Sequence, residues 1–364
     1  MSRKVLHSLP SVLHRLPSEE DYREGYLVSL SHGQACPATE LLGIKLLAHG
    51  PAAGIAESAL RNVLEFLTIV QSPAAVVAGG NHTCAITTQD HLHCFGDNML
   101  AQCDVPTGLG TVVALACGSG HTCAVTARGH LHCFGWNKYG QCDVPADFGA
   151  IVAVAAGGFH TCAVTPMGRL HCFGSNLLGQ CHVPEGLETV VAVAAGLAHT
   201  CVVTVQNRLR CFGNNYYAQC DVPEGLAAVV AVAAGSHHTC AVTAQKRLHC
   251  FGRNEHGQCD VPENLTAVVA VAAGSAHTCA VTAQGRLHCF GRKDKGQCNV
   301  PENLEAIVAV AAGDFHTCAV TALGQLGCFG VTTYSGQCKV PERLKVNAAN
   351  HKVPGISNSW KSSR

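Results

Sequence analysis

The tripeptide His-Thr-Cys occurs seven times, and each copy follows the last by 39 residues. The histidines are His82, His121, His160, His199, His238, His277 and His316. A fixed period of this length marks a repeat architecture, because one such unit is too short to bury its own apolar face and must pack on its neighbours. The repeats occupy 73–346 of the 364 residues, between an N-terminal extension over 1–72 and a tail over 347–364.

One unit, VVAVAAGSAHTCAVTAQGRLHCFGRKDKGQCNVPENL, divides into four apolar stretches separated by turn residues. It predicts strand A over Val268–Ala273, strand B over His277–Thr282, strand C over Arg286–Phe290 and a short strand D over Gln297–Val300. Pro301 can end strand D, since proline has no amide hydrogen to give a ladder. Short strands with turn signals every 8–12 residues indicate an all-β chain.

The B–C loop of this unit is Ala283-Gln284-Gly285. A type I turn followed by a left-handed residue makes a three-residue hairpin with a bulge. The third loop position across the copies is Asp90, Gly129, Gly168, Asn207, Lys246, Gly285 and Gly324. All but Lys246 are residue types that tolerate positive φ. This turn pairs Thr282 with Arg286, which sets Cys279 opposite Cys289 at a non-hydrogen-bonded position where side chains approach closely. The equivalent pairs are Cys84 with Cys94, Cys123 with Cys133, Cys162 with Cys172, Cys201 with Cys211, Cys240 with Cys250 and Cys318 with Cys328.

Three readings of these pairs stay open. Free thiols packing as small hydrophobes explain the positions without special chemistry, and this reading comes first. Cross-strand disulfides fit the geometry but need an oxidising compartment, for which no signal is visible. Metal ligation is the third: Cys279, Cys289 and His277 share a face but lack a fourth donor. Of the 23 cysteines, 21 sit in the repeat and only Cys36 and Cys117 fall outside its pattern. The recurring histidine is read as structural, bonding local backbone.

Seven sheets can be set radially as a β-propeller, whereas an open solenoid has no preferred count and usually carries atypical caps. The string G-x-x-H-T-x-A-[VL]-T-x-x-G-x-[LV]-x-x-[FW]-G-x-N-x-x-G-Q resembles the repeat of the regulator-of-chromosome-condensation superfamily. The short G-Q-x-x-V-P variant looks more like the blade of β-lactamase inhibitor protein II. The resemblance implies a seven-bladed propeller with three or four strands per blade. It also implies the range of functions the family covers: exchange factors for small GTPases, ubiquitin-ligase subunits and an enzyme inhibitor.

Antiparallel strands bring the A–B and C–D loops to one end of such a ring. The C–D loops carry four of the six tyrosines and one of the two tryptophans. The candidate partner-binding residues are Trp136, Tyr139, Leu177, Leu178, Tyr216, Tyr217, Arg253, Arg292 and Tyr334 from C–D loops, with Phe159, His237 and Phe315 from A–B loops. Exposed aromatics and arginine anchor protein interfaces; the competing reading is that some of these rings cover neighbouring loops. The opposite end carries glutamates in P-E-x-L connections, a solvated acidic rim.

Lys+Arg and Asp+Glu are both 24, so the formal charge is zero, which argues against nucleic acid or a membrane surface as the main partner. No apolar run is long enough to span a bilayer. Residues 54–69 place apolar residues at 56, 60, 63, 64 and 67, one face of a helix that could cap the ring. The tail is polar and expected to be disordered. Organelle targeting stays open, because Arg3, Lys4 and Arg15 precede any acidic residue, although Pro10 and Pro17 work against a helix. Closure is expected between blades 7 and 1, either through Arg343–Val346 as an eighth copy of strand A or through 66–72.

No nucleophile elbow, phosphate loop or zinc-protease helix occurs. The sequence therefore predicts a monomeric, non-enzymatic, cytoplasmic or nuclear protein-binding scaffold without cofactor, catalytic residue or metal site. A regulatory subunit, either an exchange factor or a ubiquitin-ligase adaptor, is the alternative.

Overall fold

A computed structural model describes residues 75–348 except 303, 305, 332–334 and 343. The chain divides into two compact units, 1–68 and 69–364, and the described residues belong to the second. The expected helix over 54–69, the targeting segment, the tail beyond 348 and Tyr334 lie outside the described residues, whereas Asn347, expected to be disordered, donates its amide to Ile86 at 2.9 Å.

Seven three-stranded antiparallel sheets follow one another. Blade 1 is β1 (Val76–Ala78), β2 (His82–Ile86) and β3 (Leu92–Gly96); blade 2 is β4 (Val112–Cys117), β5 (His121–Thr126) and β6 (Leu131–Gly135). Blade 3 is β7 (Ala153–Ala156), β8 (His160–Val164) and β9 (Leu170–Gly174); blade 4 is β10 (Val190–Ala195), β11 (His199–Thr204) and β12 (Leu209–Gly213). Blade 5 is β13 (Val229–Ala234), β14 (His238–Thr243) and β15 (Leu248–Gly252); blade 6 is β16 (Val268–Ala273), β17 (His277–Thr282) and β18 (Leu287–Gly291). Blade 7 is β19 (Ile307–Ala312), β20 (His316–Thr321) and β21 (Leu326–Gly330).

The middle strand of every blade is buried along its whole length. Both its faces are covered, which is why it reads as a continuous run rather than an alternation. Apolar clusters straddle consecutive blades: Cys162, Val164 and Leu170 of blade 3 pack with Val190 and Val202 of blade 4. Each blade thus completes its neighbour's core, as a 39-residue unit requires.

The predicted hairpin holds. In blade 6 the Gly285 amide donates to Thr282 at 2.8 Å, the Thr282 amide donates to Arg286 at 3.0 Å, and Cys279 pairs with Cys289. All seven third-position residues have positive φ, Lys246 included at 60°. One feature not foreseen is a bulge in strand A of five blades, between Val268 and Ala270 in blade 6.

Strand D does not form, so the blades have three strands rather than four. Residues 297–300 are turn and coil. The amides of this segment serve its own turns, with Asn299 donating to Gly296 at 3.0 Å and Val300 to Cys298 at 3.0 Å, and in blade 5 side chains of the C–D loop add to the competition. Asn254 Oδ1 accepts from the Cys259 amide at 2.8 Å, and Gln258 Oε1 accepts from the His256 amide at 3.0 Å.

The ring closes. Near the axis one amide of each blade donates to a carbonyl of the next, from Gly80 to Gly118, Ser119 to Gly157 and Gly158 to Gly196, through to Asp314 to Gly80. At the periphery the C-terminal chain completes blade 1, where β1 is only three residues long. Val346 bridges Thr87, its amide donates to Gly324 at 3.1 Å, and the Thr88 amide donates to Lys345 at 3.1 Å. Val346 therefore plays the part that Val112 plays in blade 2, where its amide donates to Asp90. Val346 thus takes the first position of an eighth strand A as an isolated bridge; residues 343 and 66–72 lie outside the described residues.

Candidate functional site

Two layers of side chains organise the molecule, an inner belt that repeats and a loop end that does not. In the belt each histidine reaches across a blade junction. His82 Nε2 lies 2.9 Å from Thr122 Oγ1, His160 Nε2 2.9 Å from Thr200, and His316 Nε2 2.9 Å from Thr83, with the other four junctions equivalent. Each threonine hydroxyl donates to a glutamine carbonyl of the same preceding blade, as Thr200 does to Gln180 at 2.8 Å. Since the hydroxyl proton is committed, the imidazole Nε2–H is the donor. The structural role expected for the histidine stands, but its partner is the next blade's threonine rather than local backbone.

All seven rings are fully buried, and their Nδ1 atoms have no hydrogen-bond partner. Burial disfavours the charged form and holds the imidazoles to about 3 at His121, His160, His238 and His316 and about 4 at His82, His199 and His277. The belt is neutral at any ordinary pH. The glycine ending each A strand is forced by the ring: a Cβ on Gly157 would overlap His160 Cε1.

The structure corrects the first reading of the paired cysteines. All seven pairs are disulfides, from Cys84–Cys94 to Cys318–Cys328, with Cα atoms 4.1–4.2 Å apart. The non-hydrogen-bonded position brings the Cβ atoms close enough to bridge, so packing and bonding use the same geometry. The third cysteine of each repeat remains a thiol. In six copies it donates to the carbonyl six residues earlier, as Cys142 does to Trp136 at 3.4 Å. Burial pushes these thiols up, to about 11 for Cys142 and Cys181 and about 12 for Cys220 and Cys259, which keeps them protonated.

At the loop end, Trp136, Tyr139 and Phe159 form a triangle of edge-to-face rings with centroids 5.3–5.7 Å apart. Tyr217 meets Tyr216 edge-to-face at 4.9 Å and His237 at 5.2 Å. The Arg253 guanidinium lies 4.9 Å from the Tyr217 centroid, and Arg292 lies 5.6 Å from that of Phe315. The exposed apolar tips are Met99 at 90%, Leu177 at 83%, Tyr216 at 83% and Leu178 at 53%.

The candidate residues therefore split by environment. Trp136, Phe159, Tyr217, His237 and Phe315 are half-buried and bridge the C–D loop of one blade to the A–B loop of the next. Leu177, Leu178, Tyr139 and Tyr216 stand out from that platform. Arg253 pairs with Glu255, and Arg292 pairs bidentately with Asp294 at 2.6 and 3.0 Å. Those hydrogen bonds lower both carboxylates and raise both guanidinium groups, so the arginines offer planar stacking surface more than free charge.

No curated protein matches the chain. The family model of the regulator of chromosome condensation repeat matches six segments, 74–98, 112–141, 151–180, 190–219, 229–258 and 268–297. The structure adds a seventh unit of the same form in blade 7. Similar solved folds include the ectodomain of the Physcomitrella patens receptor kinase CR4, at 23% identity over 71% of this chain and 72% of that one, with a TM-score of 0.61. The ACR4 receptor-kinase ectodomain of Arabidopsis thaliana matches at 20% identity over 71% and 94%, with a TM-score of 0.59. Prp20p of Saccharomyces cerevisiae matches at 18% identity over 72% and 83%, with a TM-score of 0.58. With seven such blades closed into a ring, the chain belongs to the regulator-of-chromosome-condensation repeat superfamily.

Proposed function

We propose that this propeller is a non-enzymatic, monomeric scaffold that docks another protein on its A–B/C–D loop end. The observation that carries the reading is the set of apolar tips, Met99, Leu177, Leu178 and Tyr216, held out from a platform of packed rings. Side chains fixed by their neighbours lose little freedom on binding, and recognition concentrates on loops of a rigid frame. The complementary surface has an apolar centre over blades 2–4 and acidic groups near blades 5 and 6, where the arginines can exchange an internal carboxylate for an external one.

Nucleic acid and membrane surfaces fit this end poorly, because its arginines are paired within their own loops. Among the described residues no helix is long and apolar enough to cross a membrane. The disulfides belong to oxidising surroundings; cytoplasm, the compartment first expected, would hold the hairpins as dithiols.

Changing Leu177, Leu178 and Tyr216 together to Ala leaves the melting temperature unchanged and removes the partner recovered by affinity purification with mass spectrometry. Recovery of the same partner at the same yield would refute the loop end as the docking surface. Prp20p has been characterised for its binding properties to Gsp1p and histones, which keeps a regulatory subunit as the second reading. Exchange activity would appear as accelerated nucleotide release across a panel of small GTPases, and no acceleration for any member removes it.

A further inference from the structure

One of the seven blade junctions carries an extra donor. Strand A ends in alanine at Ala78, Ala156, Ala195, Ala234, Ala273 and Ala312, but in Cys117 in blade 2. A ring nitrogen of His82 and the Sγ atoms of Cys84 and Cys117 all lie within 4.8 Å of one another. They converge on Thr122 Oγ1, which is 2.9 Å from His82 Nε2, 3.8 Å from Cys84 Sγ and 3.7 Å from Cys117 Sγ. Cys94, bonded to Cys84, packs against the same apolar cluster as Cys117. At the other junctions an alanine stands where Cys117 does here.

We propose that reduction of the Cys84–Cys94 disulfide converts this junction into a tetrahedral zinc site, with His82 Nε2, Cys84, Cys94 and Cys117 as ligands. Three thiolates and one imidazole are a structural zinc set. Bonds of about 2.0–2.3 Å place such donors about 3.5–3.8 Å apart. The site must therefore contract from the present spacing and draw in Cys94, which lies outside the group of three, and breaking the Cys84–Cys94 bond supplies the rotamer freedom to do so. Cys117 and Gly118 line the axial cavity of about 80 Å³.

The balance is explicit. A dithiol reductant passes two electrons and two protons to the Cys84–Cys94 bond and leaves as its own disulfide. Zinc then displaces three thiol protons. The His82 proton, now on Nε2, moves to Nδ1, which has no partner. Thr122 keeps its bond to the Gln102 carbonyl at 2.8 Å. Zinc and the disulfide thus exclude each other, and the junction between blades 1 and 2 is pinned by one or the other according to redox surroundings.

The test uses the full chain, reduced anaerobically with a phosphine and titrated with cobalt(II), then zinc. One equivalent of cobalt is expected, with a thiolate charge-transfer band and the visible spectrum of a tetrahedral site, displaced by zinc. The oxidised chain gives no such spectrum. Cys117→Ala installs the residue the other blades use, so it folds, and it loses the equivalent. Ala156→Cys adds the missing donor beside His121, Cys123 and Cys133 and raises the count to two. A reduced chain that stays colourless, a spectrum that survives Cys117→Ala, or a count that stays at one in Ala156→Cys would overturn the proposal.

Discussion

The belt and the loop end obey opposite rules. Along strand B the residues His, Thr and Cys recur in every blade, fully buried, with each histidine bonded to the threonine of the next blade in the same way. In the C–D loops, equivalent positions hold Met99, Lys138, Leu177, Tyr216 and Glu255, most of them exposed. A closed ring demands the first pattern, because each junction must present the same surface to its neighbour on both sides. It leaves the second free, because a loop tip bonds only its own blade. Whatever distinguishes this propeller from another of its class must therefore sit in the loops, or at a place such as Cys117 where the belt itself is broken.

The comparison breaks most visibly under substitution in the belt. His160→Ala removes a fully buried ring and the donor to Thr200, at an expected cost of about 3–5 kcal/mol, read by chemical denaturation. Leu177→Ala at the loop end should stay within about 0.5 kcal/mol. Equal losses would mean that the loop end is structural. Removing one hairpin disulfide as Cys240→Ala with Cys250→Ala closes no loop in the unfolded chain and should cost about 3 kcal/mol, since the bond spans a sequence separation of 10. No measurable loss would show the hairpin to be a dithiol in solution, which thiol counting in denaturant checks independently. The smallest effect is a gain. Lys246 alone among the seven turn residues carries a long side chain at positive φ, and Lys246→Gly should stabilise by about 0.5–1 kcal/mol. A loss there would mean that the lysine side chain makes a contact that outweighs its backbone cost.

What was legible in the sequence depended on range. The bounds of β16 and β17, the Cys279–Cys289 register and the left-handed turn at Gly285 follow from residues within a dozen positions of one another. Strand D failed because its amides close turns within their own loop, as Asn299 does to Gly296 and Val300 to Cys298, a competition that β-propensity does not register. The histidine belt was missed because His and Thr, adjacent in the chain, bond different blades. Their signal was present, since a fixed period keeps His160 and Thr200 in step, but only the closed ring shows which copy meets which. The split of the loop aromatics into platform and tip is likewise a contact between blades: Phe159 covers Trp136 from the next A–B loop.

Seven neutral imidazoles, locked to seven threonines, hold the ring together. Their folded pKa values of about 3 to 4 lie below the ordinary 6.5, so the unfolded chain binds more protons throughout that window. The belt adds no pH dependence above 6.5, and stability falls as the pH drops from there towards 4, by about 1.4 kcal/mol per pH unit for each imidazole. Calorimetric unfolding at pH 5 in buffers of different ionisation enthalpy counts the protons directly. An uptake of about seven per molecule, near zero at pH 8, is the expected result. An uptake of about two or fewer at pH 5 would mean that the histidines are already charged or exposed in the folded state, and the belt could not be what closes the ring.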